Sequence, residues 1–397
     1  MSGDLGIINI VILLAATQGF SLTLLIFQKH GKLFVNRFLG ALLFFYSIIL
    51  LNIALEELGY FYKYHILLFI QFGLAFFIGP LHYLYAKYLT RSLEKFEKTD
   101  WLHFTPFLGF ECYFGLVYFK SNANIIYSMQ NIDLEGLPLP DILFNWLIII
   151  QGLTYMVLTL LLLNKYSQKI KYVFSSVEKI KLNWLRNITF ITVFVIINFL
   201  VENALYLAGI NLSNFFNYTS LLAAFSVYAM GYLGFFKSEI FSQPEIAHAI
   251  SQSSALGTRL PPVKYQKSIT KYEKSGLTTE RAKKYLEQLV GMMEKEKLYI
   301  DSNLTLTQLA KKMSISPHNL SEIINTLRNQ NFFDFINQYR IEEAKKYLID
   351  PQKQHLKILS VAYDAGFNSK SSFNTIFKKY TGMTPSEFRE KFLQKEG

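Results

Sequence analysis

Cysteine and charge are both scarce in this sequence, and each shortage excludes a class of protein. A single cysteine, Cys112, excludes an intramolecular disulfide framework and a cysteine-rich zinc or iron–sulfur site. Charged residues make up 17% of the 397 positions, against about 25% in soluble domains. The chain also lacks the Gly-x-Ser-x-Gly, His-Glu-x-x-His and phosphate-binding glycine motifs. We therefore expect no enzyme activity, no catalytic residue, no metal and no cofactor.

Apolar and basic residues are concentrated in different parts of the chain. Residues 1–236 contain 15 Lys and Arg and 12 Asp and Glu, whereas residues 237–397 contain 25 and 17. A chain of this length is expected to hold two or more domains. We predict one apolar domain over 1–236 and one basic domain over 276–397, joined by a linker over 237–275 that contains a Ser-rich stretch and Pro261-Pro262.

Long hydrophobic runs recur seven times in the first domain. A helix needs about 20 apolar residues to cross a bilayer. The runs cover residues 5–27, 34–55, 66–86, 101–119, 142–163, 185–207 and 215–236. The first begins after Asp4, where a secretory signal has basic residues, so we expect it to be retained as a helix. The pattern predicts seven transmembrane helices.

Charges in the loops between these runs indicate their orientation. The loops after the first, third and fifth runs carry 13 Lys and Arg, and the alternating loops carry only Lys63 and Lys120. Because basic loops stay in the cytoplasm, we expect the N-terminus outside and the C-terminal domain inside.

A few polar residues fall within the predicted spans. Asn198, Glu202 and Tyr206 are four residues apart and share one helix face. Ionisable groups at membrane depth are costly and often functional, so this face and Glu111 are candidates for sensing a signal or ligand. The alternative is that these side chains join helices by hydrogen bonds.

Helical periodicity returns near Thr278, after the linker. Ala282, Leu286, Leu289 and Met293 form an apolar stripe on the helix predicted there. Such a stripe usually packs on its own domain; a homodimer joined through it is the alternative.

Two pairs of short helices with explicit capping residues follow. Thr305 and Gln308 form a capping box for a helix over 306–313, and Ser316-Pro317 opens a second helix that reaches about Asn325. A longer helix is predicted over 332–348, before Asp350-Pro351.

The second pair has stop signals as well as start signals. A helix that contains Val361 and Ala362 turns at Gly366 into a helix over 371–380, which Gly382 ends. Thr384 and Glu387 form another capping box. Two helix-turn-helix units joined by one helix, beside the apolar runs, predict an all-α protein.

The residues of these units carry a specific resemblance. The chain is similar to the AraC/XylS family of bacterial transcription regulators in Gly366-Phe367-Asn368-Ser369-Lys370-Ser371-Ser372-Phe373, Phe377-Lys378-Lys379, Gly382-Met383-Thr384-Pro385 and Arg389, and also in Phe335-Ile336-Asn337, Tyr339-Arg340 and Ala344. The resemblance covers roughly the last hundred residues and says nothing of the first 236. It implies double-stranded DNA as partner, for a protein of the membrane-anchored variety. Ser314 is a departure from the family pattern, because such turns often have glycine there; serine is tolerated if its backbone stays out of the left-handed region.

In a helix-turn-helix unit the second helix presents its N-terminal part to the major groove. We expect ten side chains to face DNA: His318, Asn319, Ser321, Glu322 and Asn325 on the first reading helix, and Lys370, Ser371, Asn374, Thr375 and Lys378 on the second. Among these, Glu322 suits cytosine, Asn325 adenine and Lys370 guanine, while Lys378 suits a phosphate.

These observations favour a transcription regulator of the bacterial inner membrane, which couples a signal at the membrane to sequence-specific promoter binding by a cytoplasmic domain. One alternative is a transporter or other membrane protein with a regulatory DNA-binding tail. Another is release of the DNA-binding domain by proteolysis near the linker.

Overall fold

The computed structural model describes residues 6–30, 34–58, 60, 66–91, 95–120, 139–178, 180–210, 213–238 and 277–393. Helices and turns make up this described part, which contains one isolated antiparallel bridge, between Phe174 and Thr305, and no strand. The chain forms two compact units. The first comprises Met1–Asn164 and Leu182–Ile246, and the second comprises Lys165–Lys181 and Ala247–Gly397. The linker predicted over 237–275 lies almost wholly outside the described residues.

Seven helices begin in the described residues of the first unit. They are α1 (Ile7–Leu25), α2 (Phe34–Glu57), α3 (Ile66–Arg91), α4 (Thr105–Lys120), α5 (Leu139–Lys169), α6 (Asn183–Leu207) and α7 (Ser213–Ser238). A helix lies at each of the seven predicted positions. The core of this unit contains Leu39, Leu42 and Leu43 of α2, which are fully buried.

Four of these helices meet the length and hydropathy of a membrane span over the described residues: Ile7–Gln28, Phe34–Leu55, Leu143–Tyr172 and Asn183–Leu205. The shorter stretch Thr219–Gly234 is also apolar. The structure therefore shows an all-helical unit with four apolar helices that are long enough to span a membrane. That all seven helices span the membrane stays a prediction.

The fourth predicted span begins later than expected. Residues Lys98–Phe104 form a 3₁₀ turn, and α4 starts at Thr105 rather than Trp101. Pro106 is consequently the second residue of α4, in the first turn, where a missing N–H group costs no hydrogen bond. With 16 residues, α4 is also the shortest of the seven helices.

The polar residues predicted to sense a signal lie on two helices. Glu202 of α6 accepts a hydrogen bond from Thr219 Oγ1 of α7 at 2.9 Å. Asn198 donates back to Phe194 O on its own helix, and the Tyr206 side chain lies outside the described residues. Glu111 of α4 packs against Gly73 of α3, so closely that a methyl group at that glycine would overlap its carboxylate. The hydrogen bond and the packing are those of residues that join helices.

Seven further helices form the second unit with the end of α5. They are α8 (Thr279–Glu296), α9 (Leu306–Lys312), α10 (Pro317–Arg328), α11 (Phe332–Ile349), α12 (Ile358–Asp364), α13 (Lys370–Thr381) and α14 (Pro385–Leu393) within the described residues. Their positions match the predicted pattern of two helix pairs around a longer helix. Phe335 and Ile336 of α11, and Phe373 and Phe377 of α13, are buried in the core of this unit.

The apolar stripe of α8 packs within its own unit. Leu277 and Ala282 form a buried cluster with Ile323 of α10, which Tyr285 and Leu286 extend. Leu289 and Met293 are also fully buried. The stripe is therefore covered by α10 and its surroundings, and we do not propose a homodimer through it.

The two helix-turn-helix turns differ in their key residue. Ser314 has φ 54°, so its backbone does lie in the left-handed region, and the condition under which serine is tolerated without strain is not met. Ser314 N donates to Lys311 O and Ile315 N to Ala310 O, the pattern that Gly366 and Phe367 repeat with Tyr363 and Ala362. This shared hydrogen-bonding pattern requires a positive φ at both positions, whichever residue is present. At Gly366 (φ 90°) a Cβ atom would also lie 2.6 Å from Tyr299 O.

Substitutions in the two turns are expected to change the free energy of unfolding in opposite directions. We expect Ser314→Gly to stabilise a fragment that begins at residue 277 by about 0.5–1 kcal/mol, since left-handed strain outweighs the flexibility that glycine adds to the unfolded chain. Gly366→Ala should cost more than about 3 kcal/mol, because strain and overlap with Tyr299 add together.

The control is Gly382→Ala, since Gly382 has φ 77° and a Cβ atom at that position would meet no neighbouring group within 4 Å. It should cost only the strain, about 1 kcal/mol. Urea denaturation followed by circular dichroism measures all three, and equal losses for Gly366→Ala and Gly382→Ala would contradict the overlap at Tyr299.

Candidate nucleic-acid interface

The first helix-turn-helix unit, α9 and α10, begins at two side-chain caps. Thr305 Oγ1 accepts from Gln308 N and Gln308 Oε1 accepts from Thr305 N, which confirms the predicted capping box. Ser316 Oγ accepts from Asn319 N, and Pro317 is the first residue of α10. These caps satisfy N–H groups that no carbonyl within the helix can reach.

The end of α10 lies three residues beyond the predicted one. The helix continues past Asn325 to Arg328, and Asn329 then adopts the left-handed conformation at φ 53°. Asparagine tolerates this conformation better than most residues and here replaces the glycine found after many helices.

The second helix-turn-helix unit, α12 and α13, has the longer turn. Four residues separate α9 from α10, and five separate α12 from α13. The additional residue is Asn368, which precedes the N-cap Ser369. Gly382 at φ 77° ends α13, and Thr384 and Glu387 form the predicted capping box of α14.

The structure places four of the five predicted residues of α10 at the surface. His318, Asn319, Glu322 and Asn325 are half-buried, and Asn325 also donates to Ser321 O. Ser321 is only 2% exposed, so its predicted outward orientation was wrong. Ile324, three residues later and therefore on the same side of the helix, is fully buried, so Ser321 belongs to the inward face of α10.

The five predicted residues of α13 lie together on its outer face. Lys370, Ser371, Thr375 and Lys378 are exposed, and Asn374 is half-buried. Lys379 Nζ contacts Asp334 Oδ1 of α11 at 2.7 Å, and Tyr380 OH donates to Asp334 O at 3.0 Å. Contacts with α11 thus orient α13, while the cationic and hydroxyl side chains of its outer face are left at the surface.

Known proteins match the C-terminal region of the chain, which contains both helix-turn-helix units. A family profile described as a helix-turn-helix domain matches residues 309–391. The probable transcription factor PqrA of Proteus vulgaris is 30% identical over 90 residues, which are 23% of this chain and 71% of that protein.

The chain belongs to the AraC/XylS family of transcription regulators.

Longer members of the family match over the same region. The bifunctional transcriptional activator/DNA repair enzyme AdaA of Bacillus subtilis is 36% identical over 96 residues, which are 23% of this chain and 44% of that protein. The melibiose operon regulatory protein of Escherichia coli is 28% identical over 112 residues, which are 28% of this chain and 35% of that protein. The chain thus spans less than half the length of either protein. No solved structure matches the chain.

Two charged residues of α11 organise the interior of the AraC/XylS-type unit. Arg340 is 1% exposed, and its Nε and Nη2 donate to Tyr299 O and Asp301 O at 2.7 and 2.9 Å. Glu343, one turn later, is 2% exposed and accepts from Lys297 Nζ at 2.6 Å and from Tyr299 OH at 3.1 Å. Together they hold the segment before α9 against the helix that joins the two reading units.

Sequence reasoning assigned no role to these two residues. Arg340 appears in the family resemblance, but neither periodicity nor spacing indicates that it is buried. The loop before α6 was likewise treated only as a basic cytoplasmic loop, although the structure places Ser175 against Arg340 Nη1 at 2.9 Å. Such partners lie 165 positions apart, so a local pattern holds no signal for them.

Glu343 predicts a pH dependence of the stability of the AraC/XylS-type unit. Burial opposes its ionisation, but the hydrogen bonds from Lys297 and Tyr347 outweigh this and lower its pKa from 4.5 to about 2. Because the folded pKa is lower than the unfolded one, this stabilisation is complete above pH 4.5 and disappears as the pH falls towards 2. At neutral pH it amounts to about 2–3 kcal/mol.

We therefore expect Glu343→Gln to destabilise the fragment by about 2–3 kcal/mol at pH 7 and much less at pH 2.5, by urea denaturation at each pH. The matched control is the adjacent Glu342→Gln, whose exposed carboxylate contacts only Lys345 among the described residues and should change little at either pH. A loss at Glu343 that is constant with pH would contradict the ion-paired role.

Proposed function

We propose that this AraC/XylS-family protein is a regulator tethered to the bacterial inner membrane, whose cytoplasmic unit binds promoter DNA by sequence. The observation that carries the proposal is the outward face of the second reading helix. Lys370, Ser371, Thr375 and Lys378 are exposed there together, on a helix whose opposite face is buried against α11 and α14.

The two reading helices suit a site with two halves. Helix α11 lies between α10 and α13 in the chain, so that both reading helices belong to one compact unit. Reading helices of helix-turn-helix proteins enter major grooves about 34 Å apart on one face of DNA. We infer that one chain reads two half-sites about ten base pairs apart.

Charge supplies the remainder of the affinity. Residues 237–397 carry 25 Lys and Arg against 17 Asp and Glu. A net positive unit binds the phosphate backbone without regard to sequence, and it does so less tightly as salt increases. Base contacts from the reading helices would add specificity to this term.

Two apolar surface stripes support the membrane tether. Leu143, Ile150, Val157 and Leu161 are each more than half exposed and lie along one side of α5. From Leu143 to Leu161 there are 18 residue steps, about 27 Å at about 1.5 Å per step and close to the ~30 Å hydrocarbon core. Phe190 and Phe194, also more than half exposed, begin a second stripe on α6. Exposed apolar bands of this length are unfavourable in water and suit lipid.

The membrane half is the proposed receiver of the signal. Glu202 bridges α6 and α7 through Thr219, so a ligand or a change in helix packing that breaks this contact would shift the two helices relative to each other. Glu202 with Asn198, Tyr206 and Glu111 therefore stays our candidate set for sensing.

Selection of random duplex DNA by the full chain in nanodiscs tests the regulator function. We expect one enriched sequence with two half-sites about ten base pairs apart. Lys370→Ala should weaken binding by about 1–3 kcal/mol and relax preference at one base pair, whereas Lys378→Ala should weaken all sequences and reduce the salt slope by about 1.

The control is Lys391→Ala, which removes an equal charge at an exposed position of α14 and should leave the selected sequence unchanged. Enrichment of no sequence, with binding that disappears as salt increases, would refute sequence-specific regulation and leave only the general attraction of a basic unit.

Labelling of single cysteines in a Cys112→Ser background tests the tether. We expect a membrane-impermeant maleimide to label Ile210→Cys in spheroplasts, and Lys98→Cys only after permeabilisation, because these turns lie on opposite sides if seven helices span. Helices α4, α5 and α6 separate the two positions. Equal labelling of both would mean that an even number of crossings separates them, which would contradict seven membrane-spanning helices.

A further inference from the structure

The loop between α5 and α6 belongs to the DNA-binding unit, although its two ends are the ends of apolar helices. Residues Lys165–Lys181 group with the C-terminal residues rather than with the first unit. Val173, Phe174, Val177 and Ile180 of this loop are all less than 10% exposed. The loop is thus packed into the unit by apolar side chains, and its polar groups make the contacts described next.

The loop contacts the start of the first helix-turn-helix unit through its backbone. Val173 O accepts from Leu306 N at 2.8 Å, while Ser175 N and Ser175 Oγ donate to Leu304 O at 3.2 and 2.7 Å. Leu306 is the first residue of α9, and an N–H group at that position has no acceptor within its own helix. The loop therefore supplies an acceptor for the Leu306 N–H group, which adds to the Thr305–Gln308 capping box of α9.

The same loop contacts the helix that joins the two units. Ser175 O accepts from Asn337 Nδ2 at 3.2 Å and from Arg340 Nη1 at 2.9 Å, and Ser175 Oγ accepts from Arg340 Nη2 at 3.0 Å. Burial lowers the pKa of Arg340 to about 10, and the charge of Glu178 opposes that shift. The guanidinium is therefore charged at neutral pH and depends on the loop for part of its hydrogen bonding.

A third set of contacts joins the loop to the second helix-turn-helix unit, at the N-terminal end of its reading helix α13. Ser176 Oγ lies 2.9 Å from Asn368 Oδ1 and 2.7 Å from Glu178 Oε2. Glu178 Oε1 accepts from the hydroxyl of Ser372, the third residue of α13. Asn368 is the residue by which this turn exceeds the turn of the first unit. One short loop thus bonds to both reading units and to the helix between them.

We propose that the α5–α6 loop is an intramolecular docking segment that holds the two helix-turn-helix units in the mutual orientation needed to read both halves of a DNA site. The proposal rests on the DNA-binding function above. It states the route by which the membrane half affects DNA binding, which is the loop between α5 and α6. Because the loop is continuous with α5 and α6, a change in the spacing of those helices acts directly on its contacts. Its release frees the two units from each other without altering the outer face of either reading helix.

This arrangement predicts which binding quantity changes. Two sites held together gain affinity from their effective concentration, and the gain is lost when their geometry is relaxed. A chain with the loop released should therefore keep its affinity for one half-site and lose its preference for two. The double variant Ser176→Ala/Glu178→Ala removes the side-chain contacts to Asn368 and to Ser372 of α13, and it changes no residue of the two helix-turn-helix units.

A crosslink tests the docking without DNA. Full-length chain in nanodiscs, with Cys112→Ser, Ser176→Cys and Asn368→Cys, is treated with a short bifunctional maleimide and digested for mass spectrometry. The expected result is a linked peptide pair containing positions 176 and 368. Its absence, with both cysteines labelled singly, would overturn the proposal whether or not the chain binds DNA.

Affinities for duplexes with one and two half-sites of the selected sequence test the coupling. Full-length Ser176→Ala/Glu178→Ala in nanodiscs should lose at least about tenfold of the two-site preference, with one-site affinity unchanged. The control Glu287→Ala removes an equal charge from the exposed face of α8 and should match the unsubstituted chain.

The outcomes separate the two proposals. If the unsubstituted chain selects no sequence, the proposed function fails, and the crosslink still decides the docking. If the unsubstituted chain prefers two half-sites and the double variant prefers them equally, the loop does not set the orientation and this inference is overturned. A loss of one-site affinity in the double variant would also overturn it, because the loop would then support a reading unit itself.

Discussion

The arrangement of the second compact unit, which contains both helix-turn-helix units, depends most on the buried guanidinium of Arg340. A charge removed from water requires partners in nearly every direction, and Arg340 finds them in Tyr299 O, Asp301 O and the backbone and side chain of Ser175. These partners come from two separate segments of the chain. One side chain of the connecting helix thereby determines where the segment before α9 and the α5–α6 loop must lie.

The two helix-turn-helix units form the same tight turn with different residues. The tight turn needs a left-handed residue, which is Gly366 in one unit and Ser314 in the other. Gly366 faces the backbone of Tyr299 and Ile300, where no side chain fits, while Ser314 is exposed and bears only the left-handed strain. The asymmetry follows from the neighbours of each turn rather than from the turn itself.

The first compact unit, which contains α1 to α7, has the opposite balance of forces. Its core is formed by apolar side chains such as Leu39 and Leu43 of α2, and its outer faces on α5 and α6 are also apolar. Hydrophobic burial alone does not distinguish an inner from an outer face here, so contacts between polar side chains supply the specificity. His82 with Thr189, and Glu202 with Thr219, are such contacts between helices.

Local chemistry let the sequence determine most of the helices and their ends. The caps at Thr305, Ser316 and Thr384, the stop at Gly382 and the hydrophobic runs act within a few residues, and the structure has a helix at each position they predict. The family was likewise recognisable from residues 366–389. Tertiary packing decided the rest: that Ser321 is buried, that Ser314 is left-handed, and that Ser175 meets Arg340. The Ser175–Arg340 contact joins residues 165 positions apart, which no local pattern of residues records.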